Sequence, residues 1–317
     1  MHEIVITGAT GFVGSALFKA LLADADCSVT GVCRVLPEGC DTQSLVALGS
    51  LEEADFSQAL QDVDVVIHTA ARAHVMTDEA VDPLAEYRRV NVEGTANLAR
   101  QAAQVGVKRF VFVSSIKVNG ERTQKGRPFQ PDDTPAPEDA YGISKLEAEQ
   151  VLKDICADAG MQYVIVRPVL VYGPGVKANF LRMMSWVHRG VPLPLGAVHN
   201  KRSLVALDNL VDFLLQCARH PKAADEVFLV SDGVDLSTTE LLQTIGAALD
   251  KRARLLPMPM GVLSGLLGLL GKGAIAQRLG DSLQVDISKN KQLLDWTPPY
   301  TVDEAMRKTA RAFLDGQ

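Results

Sequence analysis

Thr7-Gly8-Ala9-Thr10-Gly11-Phe12-Val13-Gly14 directly follows the apolar run Ile4-Val5-Ile6 and opens onto Phe12–Ala23, whose apolar spacing predicts a helix. Glycines at this TGxxGxxG spacing let the backbone turn sharply and come close to a pyrophosphate. The helix N-terminus then offers free N–H groups and the positive end of a dipole. A glycine triplet by itself says little, but the strand–turn–helix context makes it specific. Gly8, Gly11, Phe12, Val13 and Gly14 are therefore predicted to bind a dinucleotide cofactor.

The strand–helix rhythm continues along the chain. Ser28–Cys33, Val63–His68, Arg109–Ser114 and Tyr163–Val166 read as strands, two of them continuous apolar runs of the kind buried on both faces of a parallel sheet. Helices are predicted between them at Pro83–Gln104 and Ala140–Ala159. The fold class is α/β: a Rossmann-type doubly wound parallel sheet with a smaller, partly discontinuous C-terminal substrate lobe. The dinucleotide-binding domain is placed at residues 1–168, with segments near 200–230 returning to it, and the lobe mainly at 169–317. Ser203–Val211 and Val227–Val230 read as strands and Thr238–Leu249 as a helix. Leu255–Leu270, interrupted by Pro257, Pro259, Gly261, Gly265 and Gly268, reads as a buried helix, with a membrane-surface contact as the alternative.

Composition excludes several classes. Net charge is -6 and no basic stripe is present, which argues against nucleic acid as a partner. Cys27, Cys33, Cys40, Cys156 and Cys217 form no CxxC pair and no zinc-spaced cluster, so free thiols and no metal are expected. Free thiols, the lack of a signal segment and the lack of a spanning segment together predict a cytoplasmic protein.

The end of the second strand bears on the cofactor. Thr30-Gly31-Val32-Cys33-Arg34 carries no acid to hold a ribose 2′-hydroxyl, whereas Arg34 can pair with a 2′-phosphate. NADP(H) is thus expected, with NAD(H) as the alternative.

The chemistry is read from Tyr141-Gly142-Ile143-Ser144-Lys145. Positions i and i+4 share a helix face, so the Lys145 ammonium is expected to lie beside the Tyr141 phenol and lower its pKa. Tyr141 then exchanges a proton with a carbonyl or hydroxyl oxygen while hydride moves to or from nicotinamide. Ser115, at the end of the Arg109–Ser114 strand, is placed to hydrogen-bond the same oxygen. Catalytic roles are accordingly predicted for Ser115, Tyr141 and Lys145, with Lys145 also holding the nicotinamide ribose.

Together these motifs resemble the extended short-chain dehydrogenases, the NAD-dependent epimerase/dehydratase family, over nearly the whole chain. The resemblance extends to His68-Thr69-Ala70-Ala71 and Asn91-Val92-Glu93-Gly94-Thr95, and implies cofactor contacts from Ala70 and Asn91. In the second half it implies nucleotide-sugar contacts from Asn179, from Leu195 in Val191–Leu195, from Arg202, and from Arg278 and Asp281. There are departures. Ile116-Lys117 stands where dehydratases carry an Asp-Glu pair, Val118-Asn119-Gly120 lacks the family's Tyr, and Ser50 stands where an adenine-contacting Asp is usual.

Lys201–Leu210 and Gln284–Lys289 resemble bacterial 4-ketoreductases acting on UDP-4-keto-6-deoxy-N-acetylhexosamines in surface polysaccharide synthesis. The resemblance thus implies NADPH-dependent reduction of a C4 ketone on a UDP-sugar. An NAD-dependent UDP-hexose 4-epimerase with the same triad is the alternative. A reductase of another small carbonyl compound and a redox-sensing binding protein rank below both. Family likeness also implies a homodimer through the Pro83–Gln104 and Ala140–Ala159 helices.

Overall fold

A computed structural model describes residues 2–39, 43–73, 82–269, 271, 273 and 279–316, with the side chain of residue 267 left aside. Seven parallel strands form the main sheet in the order β3-β2-β1-β4-β5-β6-β9. They are β1 (His2–Thr7), β2 (Cys27–Cys33), β3 (Leu45–Ala47), β4 (Val65–His68), β5 (Arg109–Val113), β6 (Gln162–Pro168) and β9 (Glu226–Val230). The chain leaves β1 in one direction to β2 and β3, then returns to β4 on the other side. A crevice therefore opens where the carboxyl ends of β1 and β4 part, the place where such sheets bind ligands.

Alternation along β1 sorts the core. Ile4 and Ile6 pack toward one face with Leu17, Phe18 and Leu21 of α1 (Phe12–Leu22) and with Phe213 and Leu214 of α6 (Leu207–Arg219). Val5 faces the other side, among Leu98 of α3 (Gly94–Gln104) and Leu152 of α4 (Ala140–Ala159). Side chains of a strand alternate faces, so a strand apolar at every position needs helices on both.

The second lobe holds a three-stranded sheet, β10-β8-β7, of β7 (Leu170–Tyr172), β8 (Arg202–Ala206) and β10 (Asp235–Leu236). Around it lie α5 (Ala178–His188), α7 (Thr238–Ala248), α8 (Met260–Leu269) and α10 (Val302–Asp315); α9 (Ser288–Leu294) sits against β9. Its own core includes Phe180, Met184, Leu242, Ile245 and Met306.

Three predicted elements come out differently. Pro83–Gln104 is not one helix but α2 (Pro83–Tyr87), a wide turn at Arg88–Glu93 and α3. In that turn the Gly94 N–H reaches the Arg89 carbonyl five residues back, the geometry that inserts an extra residue into a helix. Ser203–Val211 is a strand only to Ala206. Leu207, Leu210, Val211 and Leu214 follow at helical spacing, and all are buried. Leu255–Leu270 contains α8 as expected, but among its described side chains only Leu263 is buried. Gly261, Gly265 and Gly268 present no side chain to pack. Among the described residues no helix is long and apolar enough to cross a membrane.

Candidate active site

The crevice is lined first by glycine backbone. Gly8 has φ +73°, and a Cβ there would lie 2.8 Å from the backbone of Ala70 at the end of β4. A Cβ on Gly14 would sit 2.1 Å from the Gly8 carbonyl oxygen. The Gly11 N–H donates to that same carbonyl at 2.8 Å. Gly11 precedes α1 without a side-chain cap, and Phe12 and Val13 form the first turn. Turn, strand end and helix start thus approach as closely as backbone permits, the cradle a pyrophosphate needs.

Beneath it His68 ties three elements together. Thr95 donates its hydroxyl to the Asn91 carbonyl at 2.6 Å, so its oxygen accepts from His68 Nε2 at 3.0 Å. Nδ1, left without a proton, accepts from the Thr7 hydroxyl at 2.5 Å. Burial, reinforced by the charge of Lys145, pushes the His68 pKa down to about 3, so the ring stays neutral. Asn91, on the wide turn, accepts from the Arg72 N–H at 2.8 Å and donates to the Ser144 hydroxyl at 3.0 Å. It thereby ties the chain leaving β4 to α4, one residue from Lys145.

Ser115 caps a single helical turn, Ile116–Val118, and its hydroxyl oxygen accepts from the Lys117 N–H at 3.3 Å. The Ser115 hydroxyl lies beside the Tyr141 phenol, where it favours the phenolate, and Tyr87 lies edge-on to the Tyr141 ring at 5.9 Å. Lys117 bolts the two elements together: its ammonium donates to Glu121 at 2.9 Å and to Asp139, the residue that caps α4 by accepting from the Gly142 N–H at 2.7 Å. Although burial opposes it, these bonds hold the Lys117 pKa above its usual range. The Lys117 that departs from the dehydratase pattern thus positions the Ser115 turn against the Tyr141 helix.

The expected influence of Lys145 on Tyr141 is corrected by the geometry. Lys145 is 2% exposed; its ammonium donates to the Val113 carbonyl at 2.8 Å and lies 4.4 Å over the Phe112 ring. Burial pushes its pKa down to about 7, opposed by the charge of Glu149. Burial pushes the Tyr141 phenol up to about 12, opposed by the Ser115 hydrogen bond. Desolvation therefore outweighs any help from the ammonium. Glu149 was not singled out in the sequence, although it lies one turn beyond Lys145 on the same helix face. It forms a buried ion pair with Arg167 at 2.6 Å and accepts from Ser114 at 2.5 Å. Asn119, in the missing-Tyr position, is buried and accepts from Arg167 at 3.0 Å.

The lobe brings some predicted contacts together and separates others. Arg202 Nη1 reaches the Asp281 carbonyl at 3.4 Å, and buried Asn200 donates to the same carbonyl at 3.1 Å. Residues 282–286 then bridge β8 to the loop after Ser115: Leu283 pairs with Arg202, and Phe129 donates to the Gln284 carbonyl at 2.8 Å. Asn179 is exposed in the first turn of α5. Leu195 is buried in the lobe core, its carbonyl accepting from Thr239 at 2.6 Å. Arg278 and Cys40 lie outside the described residues. Among the described residues no cluster suits a metal ion.

A doubly wound sheet with a glycine cradle at its switch point, and a Ser/Tyr/Lys set beside it, defines an NAD(P)-dependent oxidoreductase. The model of the NAD dependent epimerase/dehydratase family matches residues 4–231, and the chain belongs to that family. It is 50% identical over 314 residues to the UDP-glucose 4-epimerase of Vibrio cholerae, covering 98% of this chain and 95% of that one. A more distant relative is the N-acetyl-alpha-D-glucosaminyl-diphospho-ditrans,octacis-undecaprenol 4-epimerase of Escherichia coli O157:H7, 28% identical with 97% and 94% covered. The structure of MoeE5 in complex with UDP-glucose and NAD superposes with a TM-score of 0.78 at 25% identity, covering 99% of each chain.

These findings overturn two expectations. The expected likeness to N-acetylhexosamine 4-ketoreductases gives way to a 50% identity with a UDP-glucose 4-epimerase over 98% of the chain. The segments that suggested a ketoreductase hold the lobe together: Asp208 pairs with Lys308, Asn209 bonds Asp232 and Tyr300, and Asp286 bonds Gln130. Such contacts carry no information about the sugar. The cofactor expectation falls likewise, because MoeE5 holds NAD. Arg34 lies exposed just past β2, where water satisfies an arginine without any 2′-phosphate.

Proposed function

We propose that this chain is an NAD-dependent UDP-hexose 4-epimerase. The observation that carries this reading is the 50% identity to the Vibrio cholerae UDP-glucose 4-epimerase over 98% of the chain. The close-packed glycine cradle fits the cofactor: Gly8, Gly11 and Gly14 leave backbone where a side chain would block a pyrophosphate.

NAD, when bound at the glycine turn, would supply a hydride acceptor and donor for C4. Tyr141 accepts the C4 hydroxyl proton in the first half and gives it back in the second. Ser115, bonded to the Tyr141 oxygen, steadies charge on the C4 oxygen. Asn91 and Ser144 hold the backbone from which Lys145 projects, where it would hold the nicotinamide ribose, and Ser115 is the neighbour that favours phenolate over phenol as the proton moves. Inversion at C4 would require the keto sugar to present its opposite face between the two transfers. Arg202 and Arg278, with Asn179, anchor the nucleotide diphosphate and Asp281 accepts from the ribose hydroxyls while that turn takes place. No cofactor is consumed.

The test is to supply NAD and UDP-glucose and to follow UDP-galactose by chromatography. Interconversion from either side without net change in nicotinamide absorbance is expected, with Tyr141→Phe slower by roughly 10²–10⁴-fold. Protein that binds NAD and UDP-glucose yet leaves both sugars unchanged would sink the reading.

A further inference from the structure

One face of the second lobe differs from the rest of the molecule in both charge and polarity. Residues 173–200 and 251–269 contain six of the 32 Lys and Arg residues and none of the 38 Asp and Glu residues, in a chain of net charge -6. The structure brings these stretches together. The Leu193 N–H donates to the Arg254 carbonyl, the Leu256 N–H to the Leu193 carbonyl, and Leu193 and Leu255 pair as a short bridge. A Cβ on Gly190 would meet the Arg254 guanidinium at 3.8 Å.

On this face the apolar side chains are outside. Trp186 on α5 is 42% exposed, and Val191 follows it, its N–H bonded to the Trp186 carbonyl. Leu256, Val262, Leu266 and Leu269 are exposed as well, Leu269 to 87%. Among the described side chains of α8 only Leu263 is buried, in the core it shares with Met184 and Val187. A Cβ added at Gly261, Gly265 or Gly268 would meet nothing within 4 Å. Exposed Arg182, Arg189, Lys251, Arg252 and Arg254 surround these groups.

We infer that this face docks on the surface of a membrane rich in anionic lipid. An apolar helix exposed along most of its length, a half-exposed Trp and exposed cations on stretches that carry no acid are what an interfacial element needs. The apolar groups enter the headgroup boundary and the arginines meet phosphate. A second copy of the chain fits less well. A two-fold interface sets a patch against itself, and here it would set the cations of these two acid-free stretches against one another. The inference concerns where the enzyme works and does not rest on the reading of its reaction.

The test uses the NAD-loaded enzyme with vesicles of phosphatidylglycerol and phosphatidylethanolamine, against vesicles of phosphatidylcholine alone. Flotation is expected with the acidic vesicles at low salt, and several-fold less at roughly 1 M salt, where charge is screened within about 3 Å. The chain has two tryptophans, and the other, Trp296, is buried in the main core and bonded to Asp212 at 2.7 Å. A blue shift of emission on adding acidic vesicles therefore reports Trp186. The double variant L266E/L269E, at exposed positions, is expected to fold and to turn over a soluble sugar nucleotide as before while losing at least ~10-fold in vesicle binding. Arg252→Glu with Arg254→Glu is expected to lose the salt-sensitive part. Absence of flotation with acidic vesicles overturns the inference, as does binding untouched by both variants. So does a wild-type dimer that L266E/L269E converts to monomer in sedimentation, because a second copy would then cover this face.

Discussion

Lys145 is where burial and chemistry meet most directly. Its pKa falls from 10.5 to about 7 because the folded chain encloses the ammonium, with Glu149 offsetting part of the effect. Between those two values the unfolded chain holds a proton that the folded chain has released, so stability from this group rises with pH across that window. Below about pH 7 the folded protein must bury the charge. Lys145→Met removes that requirement, and Glu149 keeps its Arg167 partner. The variant is expected to lose turnover yet melt at a higher temperature than the parent at pH 6, the gain shrinking as pH approaches 10. Scanning calorimetry at several pH values checks this; a variant that melts lower at pH 6 contradicts it. The Tyr141/Lys145 spacing was legible because one helical turn separates the two residues. The direction in which their pKa values move was not, because it depends on how deeply both are enclosed and on the Val113 carbonyl that takes the ammonium.

Among elements, the junction between the Ser115 turn and α4 is held by one carboxylate with two partners. Asp139 caps α4 through the Gly142 N–H and pairs with Lys117. The two jobs separate by substitution. Asp139→Asn keeps the cap and loses the ion pair, which is part-exposed and therefore contributes little to stability. Asp139→Ala loses both, and an N-cap contributes about 1 kcal/mol. Denaturant melts are expected to show the Ala variant less stable than the Asn variant by about that amount. Turnover is expected to fall in both, because each loses the bolt between Ser115 and Tyr141. Equal stability of the two variants would remove the cap from this account. Strands and most helices of the sheet were legible from apolar runs and glycine spacing. The wide turn at Arg88–Glu93 was not, because its extra residue leaves the apolar periodicity of Pro83–Gln104 nearly unchanged while it turns Asn91 toward Arg72 and Ser144. The exposure of α8 was hidden for the opposite reason: its composition is that of a core helix.

At the scale of the whole molecule, one of the segments that join the crevice to the lobe comes from the far end of the chain. Residues 282–286 pair with Arg202 and Ser203 on one side and with the loop after Ser115 on the other. Contacts assembled from positions as distant as Arg202 and Asp281 have no local sequence signal. The family resemblance placed them together, and it gave a ligand contact to Leu195, which is buried in the lobe core. A nucleotide whose diphosphate meets Arg202 and whose ribose meets Asp281 would therefore load both lobes. NAD, seated at the glycine turn, loads the main sheet. Each ligand stabilises the folded chain by binding it, about 2.7 kcal/mol at a hundred times its dissociation constant. UDP alone, carrying the diphosphate but no sugar, is expected to raise the melting temperature of the NAD-loaded protein further. Arg202→Met is expected to keep the NAD-dependent rise and lose the UDP-dependent one. Thermal melts with neither ligand, with NAD, and with NAD and UDP separate the contributions. An undiminished UDP shift in the Met variant would place the diphosphate away from β8, and with it the site where the sugar must turn over.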